Sequence, residues 1–209
     1  MWTATKKRIF KLLIPVIRIK KYFSWRIYLS TSKSINLIVG SGPTQYKGWF
    51  ATDIWTLDVT KRIDFQKYFR KKKINKILAE HVLEHLSNKD LDLMVKNFFE
   101  FSAENINIRI AVPDGFHHDE KYIEYVKPGG TGPGAEDHKN LFTYISLSKL
   151  FTKYGFKAYP VEYWDELGKF HQGYTVDKNG FVMRSLINDK RNSKGSPVFT
   201  SLIVDFQKK

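Results

Sequence analysis

The sequence predicts an α/β fold, a doubly wound and mostly parallel sheet of seven strands that follows a basic helical arm. Short β-branched, apolar runs alternate with amphipathic segments through most of the chain. This alternation is typical of a parallel sheet with helices on both faces. The length of 209 residues suits one domain with a hydrophobic core. Basic residues are concentrated at the amino end, which sets the arm apart from the domain.

The composition indicates a globular protein and excludes cysteine chemistry. Hydrophobic residues make up 42% of the chain and aromatic residues 15%, which is too apolar for a disordered protein. Because the chain has no cysteine, disulfide bonds, thiolate metal sites and cysteine nucleophiles are all excluded. No apolar run is long enough to span a bilayer. We therefore expect a cytoplasmic protein, either free or at the membrane surface.

The formal net charge of +14 is distributed unevenly along the chain. Residues 1–52 contain ten Lys or Arg and no acidic residue, whereas residues 53–209 contain 25 basic and 21 acidic residues. A nucleic-acid-binding domain usually spreads its basic residues over a working face, so this asymmetry disfavours nucleic acid as a partner. It predicts a basic arm over residues 1–33 and a domain over residues 34–209.

The arm is predicted to form a helix over residues 6–29. Apolar and basic side chains fall on opposite sides at helical spacing: Ile9, Leu12, Leu13, Val16 and Ile17 on one, and Lys7, Lys11 and Arg18 on the other. Pro15 is expected to kink or split the helix. Such a helix either lies on an anionic membrane surface or packs on its own domain with its basic side in water. The second interpretation is slightly favoured.

The domain begins with a strand and alternates strands with helices. Seven short apolar runs are the predicted strands: residues 35–39, 49–52, 56–57, 76–79, 106–112, 156–163 and 201–206. Two segments with apolar residues at helical spacing are the predicted helices, residues 90–100 and 146–154, and Gly155 ends the second. Residues 115–140 are predicted to be a long irregular loop, of the kind that often closes over a functional site.

A glycine turn directly follows the first predicted strand. Glycine at Gly40 and Gly42 allows a positive φ and a close approach of a ligand to the backbone. Asp53 ends the next strand, where its carboxylate can accept hydrogen bonds from both hydroxyls of a ribose. A dinucleotide-binding turn would have a third glycine and an acidic residue about 20 positions further on. Both are absent, so a nucleoside without a phosphate chain fits better than NAD.

The ordered set of motifs resembles the class I S-adenosylmethionine-dependent methyltransferases, and especially predicted bacterial members found with surface-polysaccharide genes. The resemblance covers about residues 35–206. Its motifs are Gly40-Ser41-Gly42-Pro43, Gly48-Trp49-Phe50-Ala51-Thr52-Asp53, Asp58, His81-Val82-Leu83-Glu84-His85-Leu86 and Arg109-Ile110-Ala111-Val112-Pro113-Asp114. It implies a class I methyltransferase-like sheet, with S-adenosyl-L-methionine as the cofactor and a small molecule or glycan as the acceptor.

The same resemblance assigns the site residues. The cofactor would be bound by Gly40, Ser41, Gly42, Asp53, Asp58, Glu80 and His81, and His81, Asp114 and His138 would be the candidate catalytic residues. The chain departs from the family at Ile38, where a polar or acidic residue is common, and in lacking the third glycine. A non-catalytic protein that keeps the fold therefore stays an alternative.

Methyl transfer depends mainly on the alignment of the acceptor with the methyl group, and a hydroxyl acceptor also benefits from a general base. This need is why His81, Asp114 and His138 are singled out. His117-His118-Asp119 together with His138 lacks the spacing of a metal site, so we expect no metal. A nucleic-acid methyltransferase is the weaker alternative, because no Asn/Asp-Pro-Pro-aromatic run follows the fourth strand.

Overall fold

The structure, a computed structural model, describes residues 4–192 and 195–208, with side chains described from residue 12 onward. The helices are α1 (Ala4–Thr31), α2 (Arg62–Phe69), α3 (Asn88–Phe101), α4 (Glu120–Val126) and α5 (Tyr144–Thr152). The strands are β1 (Asn36–Val39), β2 (Phe50–Ala51), β3 (Ile74–Glu80), β4 (Ser102–Pro113), β5 (Phe156–Trp164), β6 (Phe170–Gln172) and β7 (Ser201–Lys208). Two 3-10 turns cover Leu83–His85 and Ala135–Asp137.

The seven described strands form one mixed sheet in the order β2-β1-β3-β4-β7-β5-β6. Strands β1 to β4 pair in parallel with their neighbours, whereas β7 runs antiparallel between β4 and β5, and β6 forms an antiparallel pair with β5. Five strands therefore share one direction. This order and these directions confirm the predicted class I methyltransferase-like sheet.

One face of the sheet is covered by helices. Alternate strand residues such as Leu37 and Ile77 point to this face and join the main hydrophobic core. Helices α1, α2, α3 and α5 complete this core with many aromatic side chains: Trp25, Phe65, Tyr68, Phe69, Phe98, Phe101 and Phe151. Helix α3 shows the clearest amphipathic pattern, and Ser87 caps its first turn by accepting from the N–H of Asp90.

The other face, where the sequence analysis expected a second layer of helices, is covered by an irregular segment, residues 173–192 and 195–200 of the described chain. Tyr174 and Val182 of this segment pack on the second apolar layer of the sheet. Arg109 of β4 holds this segment on the sheet. Its guanidinium donates to Asp205 of β7 at 2.7 Å and to Asp177 of the segment at 2.8 Å. Buried apolar contact and one ion-pair network thus replace a helical layer here.

Four local features differ from the predictions. Residues 56–57 form a turn and no strand, because the Asp53 carboxylate accepts from the N–H of Trp55 and bends the chain. Strand β6 was not predicted, and it takes the place of residues 56–57 in the total of seven described strands. Within the predicted loop 115–140, Asp119 caps the short helix α4 by accepting from the N–H of Lys121. Helix α2 was also missed.

Helix α1 continues through Pro15 as one helix. Its second half packs on the domain: Trp25 and Leu29 are buried in the main core, and Arg18 Nε donates to the carbonyl of Trp55 at 2.7 Å. Arg18 is exposed, as predicted for the basic side of the helix, although its guanidinium contacts the domain. The predicted pattern residues Lys7, Ile9 and Lys11 have side chains outside the described residues. No helix among those described has the length and apolar content needed to cross a membrane.

Candidate functional site

The polar residues that follow the parallel strands meet at one edge of the sheet. Gly40 follows β1, Asp53 follows β2 and His81 follows β3, and parallel strands place such positions side by side. A cavity of about 560 Å³ opens between them. Five predicted cofactor residues line it, namely Gly40, Gly42, Asp53, Asp58 and His81. Its remaining wall is largely apolar and includes Ile54, Leu57, Val59, Val82 and Leu86.

The glycine turn forms the floor of this cavity, which we call the cofactor cavity. Gly40 and Gly42 have positive φ angles of 60° and 51°, a region that favours glycine. A Cβ atom at Gly40 would overlap a methyl group of Val82, whereas a Cβ at Gly42 would meet open space. The turn is fixed by two backbone bonds between β1 and β2: Ser41 N–H donates to Thr52 and Thr52 N–H donates to Ile38.

The two aspartates of the cofactor cavity have different surroundings. Asp53 uses one carboxylate oxygen, Oδ1, to accept from its own turn at Trp55, and no partner is recorded for Oδ2 within the described chain. Asp58 is fully engaged: Oδ1 accepts from Thr60, and Oδ2 pairs with Lys61 at 3.0 Å. Burial opposes its ionisation, but these contacts lower the pKa of Asp58. Asp53 is thus the carboxylate with a free acceptor.

Ser41 and Glu80 lie in a neighbouring cavity of about 230 Å³ on the other side of the turn. Both oxygens of the Glu80 carboxylate accept backbone N–H bonds, from Met183 at 3.1 Å and Arg184 at 2.8 Å. These bonds hold the segment around Met183 and Arg184 over the sheet edge. Glu80 therefore positions a wall of the site, and its carboxylate has little capacity left for a ligand.

His81 is the residue where the cavities meet. It lines the cofactor cavity and three neighbouring cavities. Its φ is 53°, an uncommon conformation for a residue with a side chain, and such strain is concentrated at functional sites. Its Nδ1 lies 3.0 Å from Glu84 Oε1, and its Nε2 lies 3.1 Å from the hydroxyl of Ser201.

Glu84 is among the sequence candidates for a general base and belongs to the His81–Leu86 motif, but it is not among the site residues that the sequence analysis finally assigned. Its side chain is completely buried, and neither carboxylate oxygen has a hydrogen bond of good geometry within the described chain. Burial opposes its ionisation, but the contact with His81 outweighs this effect and lowers the pKa of Glu84. A buried anion beside His81 is the expected arrangement for fixing the ring of a histidine base.

A further cavity of about 250 Å³ lies on the other side of His81, and we call it the acceptor cavity. Its polar side chains are His81, Glu84, His85, His138, Arg184 and Arg191. His138 approaches the carbonyl oxygen of Val126 through Nδ1 at 2.6 Å, which leaves Nε2 free. His138 lies on the predicted loop, residues 115–140. It shares the acceptor cavity with His81.

Glu84, His85 and His138 form a group that could hold a divalent cation. Their donor atoms lie within 4.8 Å of one another, and imidazole with carboxylate is a common ligand set. This group differs from the combination of loop histidines considered in the sequence analysis. His117 is buried, its Nε2 lies 3.2 Å from the carbonyl of Pro197, and burial lowers its pKa to about 4. His118 packs against Trp164 with the two rings tilted, outside these cavities.

Asp114 lies at the end of β4 as predicted, but its contacts are structural. Its carboxylate is buried and accepts the backbone N–H groups of Phe116 at 3.0 Å and Trp164 at 2.8 Å. Burial raises the pKa of Asp114 to about 6. The residue lines neither the cofactor cavity nor the acceptor cavity. Its side chain ties β4 to the end of β5 and is too enclosed to reach an acceptor.

Comparisons with known proteins give distant structural likenesses. No family model matches the sequence, and no curated protein matches it either. A SAM-dependent methyltransferase from Archaeoglobus fulgidus is 18% identical with a TM-score of 0.47, over 92% of this chain and 94% of that one. The plantazolicin methyltransferase BpumL, in complex with SAH, is 13% identical with a TM-score of 0.44, over 99% and 91%. The fold class therefore rests on the strand order and directions of the sheet.

Proposed function

We propose that this protein transfers the methyl group of S-adenosyl-L-methionine to a hydroxyl group of a small-molecule or glycan acceptor. The observation that carries the proposal is the cofactor cavity. The sequence analysis chose Gly40, Gly42, Asp53, Asp58 and His81 from separate parts of the chain, and all five line one space of about 560 Å³. That volume lies within the usual range for a small-molecule site.

The residues present fit a nucleoside better than a nucleotide. Asp53 offers an unused carboxylate oxygen for ribose hydroxyls. Leu57, Val59, Val82 and Leu86 offer an apolar wall for an aromatic base. Lys139 is the one Lys or Arg side chain among the described residues that line the cavity, so a phosphate chain would find few partners. Asp58, which the resemblance places near the adenine amino group, has no free carboxylate oxygen.

His81 is the proposed general base for a hydroxyl acceptor. The Glu84 carboxylate, 3.0 Å from Nδ1, favours the neutral tautomer with its proton on Nδ1, which leaves Nε2 able to accept a proton. An acceptor hydroxyl would take the position of the Ser201 hydroxyl, now 3.1 Å from Nε2. S-adenosyl-L-methionine, when bound, supplies an electrophilic methyl group on a sulfonium and leaves as a neutral thioether. His81 takes the hydroxyl proton as the new carbon–oxygen bond forms.

The acceptor cavity favours an acceptor that carries an anionic group near its hydroxyl. Arg191 already pairs with Asp189 at 2.6 Å, but no ion pair is recorded for Arg184 among the residues described. Arg184 lines the acceptor cavity and the small cavity beside the glycine turn. A cation in this position can hold a carboxylate or phosphate of the acceptor in register with His81.

Cofactor binding by calorimetry tests the proposal and separates an enzyme from a non-catalytic protein of the same fold. The wild-type protein is expected to bind S-adenosyl-L-methionine, and Asp53→Asn is expected to bind at least about tenfold more weakly. The asparagine keeps an acceptor for the turn at Trp55 but replaces the second oxygen with a donor. Asp58→Asn is the matched control, because the Asp58 carboxylate is engaged by Thr60 and Lys61, and its affinity should change less.

Absence of heat for wild-type protein at millimolar cofactor would refute the enzyme and favour the non-catalytic alternative. If wild type and Asp53→Asn bind the cofactor with equal affinity, and circular dichroism shows that both are folded, then the protein binds the cofactor but Asp53 does not bind its ribose. Binding of S-adenosylhomocysteine should follow the same order among the variants, because the two nucleosides share the ribose.

A further inference from the structure

Helix α1 leaves a row of large apolar side chains in water. Leu12, Val16, Ile19, Phe23 and Ile27 are each between 60% and 76% exposed. Their spacing of three or four residues places them in one line along the helix, and we call this line the outer stripe. Trp25 and Leu29, on the opposite side, are buried in the domain core. A continuous exposed apolar row of this kind indicates an interaction surface.

The outer stripe is bordered by basic side chains on both sides. Lys20 and Arg26 are exposed and, at about 100° per residue, lie about 60° to either side of the stripe. On the Arg26 side, a groove of about 500 Å³ separates α1 from the turn after α2. We call it the basic groove, and it is lined by Arg26, Leu29, Ser30, Phe69, Arg70, Lys71 and Lys72.

The cations of the basic groove are available to a ligand. Lys72 donates to the carbonyl of Leu29 at 2.6 Å, but no ion pair is recorded for Arg26, Arg70 or Lys71 in the described parts of the chain. No acidic residue precedes Asp53 in the sequence, so α1 supplies no internal counter-charge. Three free cations beside an apolar row therefore favour a single partner that has both anionic and apolar groups.

We propose that α1 docks on the surface of an anionic lipid bilayer, with the outer stripe among the acyl chains and lipid phosphates in the basic groove. An amphipathic helix with basic residues beside its apolar face has the chemistry of an interfacial helix. A second copy of this chain is a poorer occupant, because two such faces would bring like charges together. The proposal concerns a surface separate from the cofactor and acceptor cavities, so it stands or fails independently of the proposed function.

Vesicle cosedimentation of the full chain tests the outer stripe. Wild type is expected to bind vesicles of phosphatidylcholine with about 30% phosphatidylglycerol, and the double variant Val16→Asp/Phe23→Asp to bind at least about tenfold more weakly. Both side chains are exposed, so the fold should be retained. Leu167→Asp/Val176→Asp is the matched control. Leu167 is 89% exposed in the turn between β5 and β6, at the opposite edge of the sheet from β2, and this variant should bind like wild type.

The basic groove is tested with a charge-matched pair of triple variants. Arg26→Gln/Arg70→Gln/Lys71→Gln is expected to lower binding to the anionic vesicles about tenfold or more. Lys121→Gln/Lys149→Gln/Lys157→Gln removes the same charge from exposed positions elsewhere and should lower binding much less. Wild-type binding should also weaken as salt is raised.

Four results would overturn the proposal. Two concern wild type, which would either not bind the anionic vesicles or bind pure phosphatidylcholine equally well. The third is an equal loss of binding in the two triple variants, which would mean that only net charge matters. The fourth is self-association of wild type without lipid in sedimentation velocity, with Val16→Asp/Phe23→Asp monomeric, which would identify a second copy as the occupant of the stripe. Cofactor calorimetry on the same variants should give wild-type affinity.

Discussion

Individual residues at the strand ends determine what this site can do, and their roles separate more sharply in the structure than in the sequence. Asp53 and Asp58 look equivalent as acidic residues after predicted strands. Only Asp53 keeps an unpartnered oxygen, because Asp58 is bound by Thr60 and Lys61. Asp114 follows a strand in the same way, yet its carboxylate is consumed by Phe116 and Trp164. A carboxylate at a strand end is therefore a candidate for ligand binding only if at least one of its oxygens has no partner within the described chain.

The two glycines of the turn give the residue-scale prediction. Gly40→Ala should lower the free energy of unfolding by more than the about 1–2 kcal/mol of a left-handed alanine, because the new methyl group also overlaps Val82. Gly42→Ala carries the same conformational cost without the overlap. Its methyl group instead enters the cofactor cavity and should weaken S-adenosyl-L-methionine binding. Urea denaturation and calorimetry measure the two effects.

Val82 provides the control for this comparison. In the Gly40→Ala background, Val82→Ala removes the methyl group that is overlapped and should recover part of the lost stability. If Gly40→Ala and Gly42→Ala lose equal stability, the packing of Val82 on the turn has no energetic consequence. If neither changes cofactor affinity, the turn is not the floor of the cofactor site.

The histidines show which contacts of the site could not be predicted from the sequence. His81 could be chosen because it follows a strand. Its contact with Glu84 could not be predicted, since that contact depends on the left-handed φ of His81 and the 3-10 turn at Leu83–His85. His138 was placed on a flexible lid by its glycine-rich neighbours. In the structure its Nδ1 lies 2.6 Å from the carbonyl of Val126, because α4 orders that segment.

At the scale of elements, long periodic segments were predictable and short ones were not. The predicted helix 90–100 matches α3 because its buried residues follow helical spacing, and the predicted strand 106–112 lies within β4 because its residues form one continuous buried run. Helix α2 has eight residues with the apolar Ile63 exposed, and β6 has three residues. Aromatic residues of α2 pack on Trp25, which is distant in the sequence, so local pattern carried no signal for this helix. Strand β6 pairs with the nearby β5 but is too short to show a period. The irregular cover, residues 173–192 and 195–200, is positioned by its contacts with Arg109 and the sheet.

Strand β5 contains a buried carboxyl group whose pKa predicts a pH dependence of stability. Burial raises the pKa of Glu162 to about 7, although the N–H of Leu186 donates to one oxygen at 2.8 Å. Its ordinary value is 4.5. Between these values the folded state holds the proton more tightly than the unfolded state, so raising the pH through this window lowers the free energy of unfolding. The loss approaches about 2–3 kcal/mol above pH 7.

Glu162→Gln should remove this dependence. The variant is expected to be more stable than wild type at pH 8 and close to it at pH 5, because the amide has no proton to lose. Urea denaturation at both pH values gives the comparison, and Glu136→Gln, at an exposed position, is the matched control. Asp114 is present in all three proteins, so its own titration cancels. Parallel pH profiles for wild type and Glu162→Gln would contradict the raised pKa.

At the scale of the whole molecule, the second half of the predicted arm packs into the core of the domain. The charge asymmetry predicted a basic helical arm, but sequence pattern could not show which of its faces meets the domain. Trp25 packs against Phe50, Tyr68 and Phe69, and its Nε1–H donates to the carbonyl of Tyr68 at 2.6 Å. Trp25 thus marks the domain side of the helix, whereas Leu12, Leu13 and Val16, from the apolar row for which inward packing was slightly favoured, are exposed.

This arrangement predicts that the second half of α1 unfolds together with the sheet. Trp25→Ala should lower the free energy of unfolding of the whole protein by about 3–5 kcal/mol, because it opens a cavity next to Phe50 and leaves the carbonyl of Tyr68 without its donor. Phe23→Ala, two residues away but 64% exposed, should change it by less than about 0.5 kcal/mol. Urea denaturation followed by far-ultraviolet circular dichroism should show one transition for all three proteins, shifted only in Trp25→Ala. An unshifted main transition in Trp25→Ala, preceded by an early partial loss of helical signal, would mean that α1 unfolds separately from the sheet.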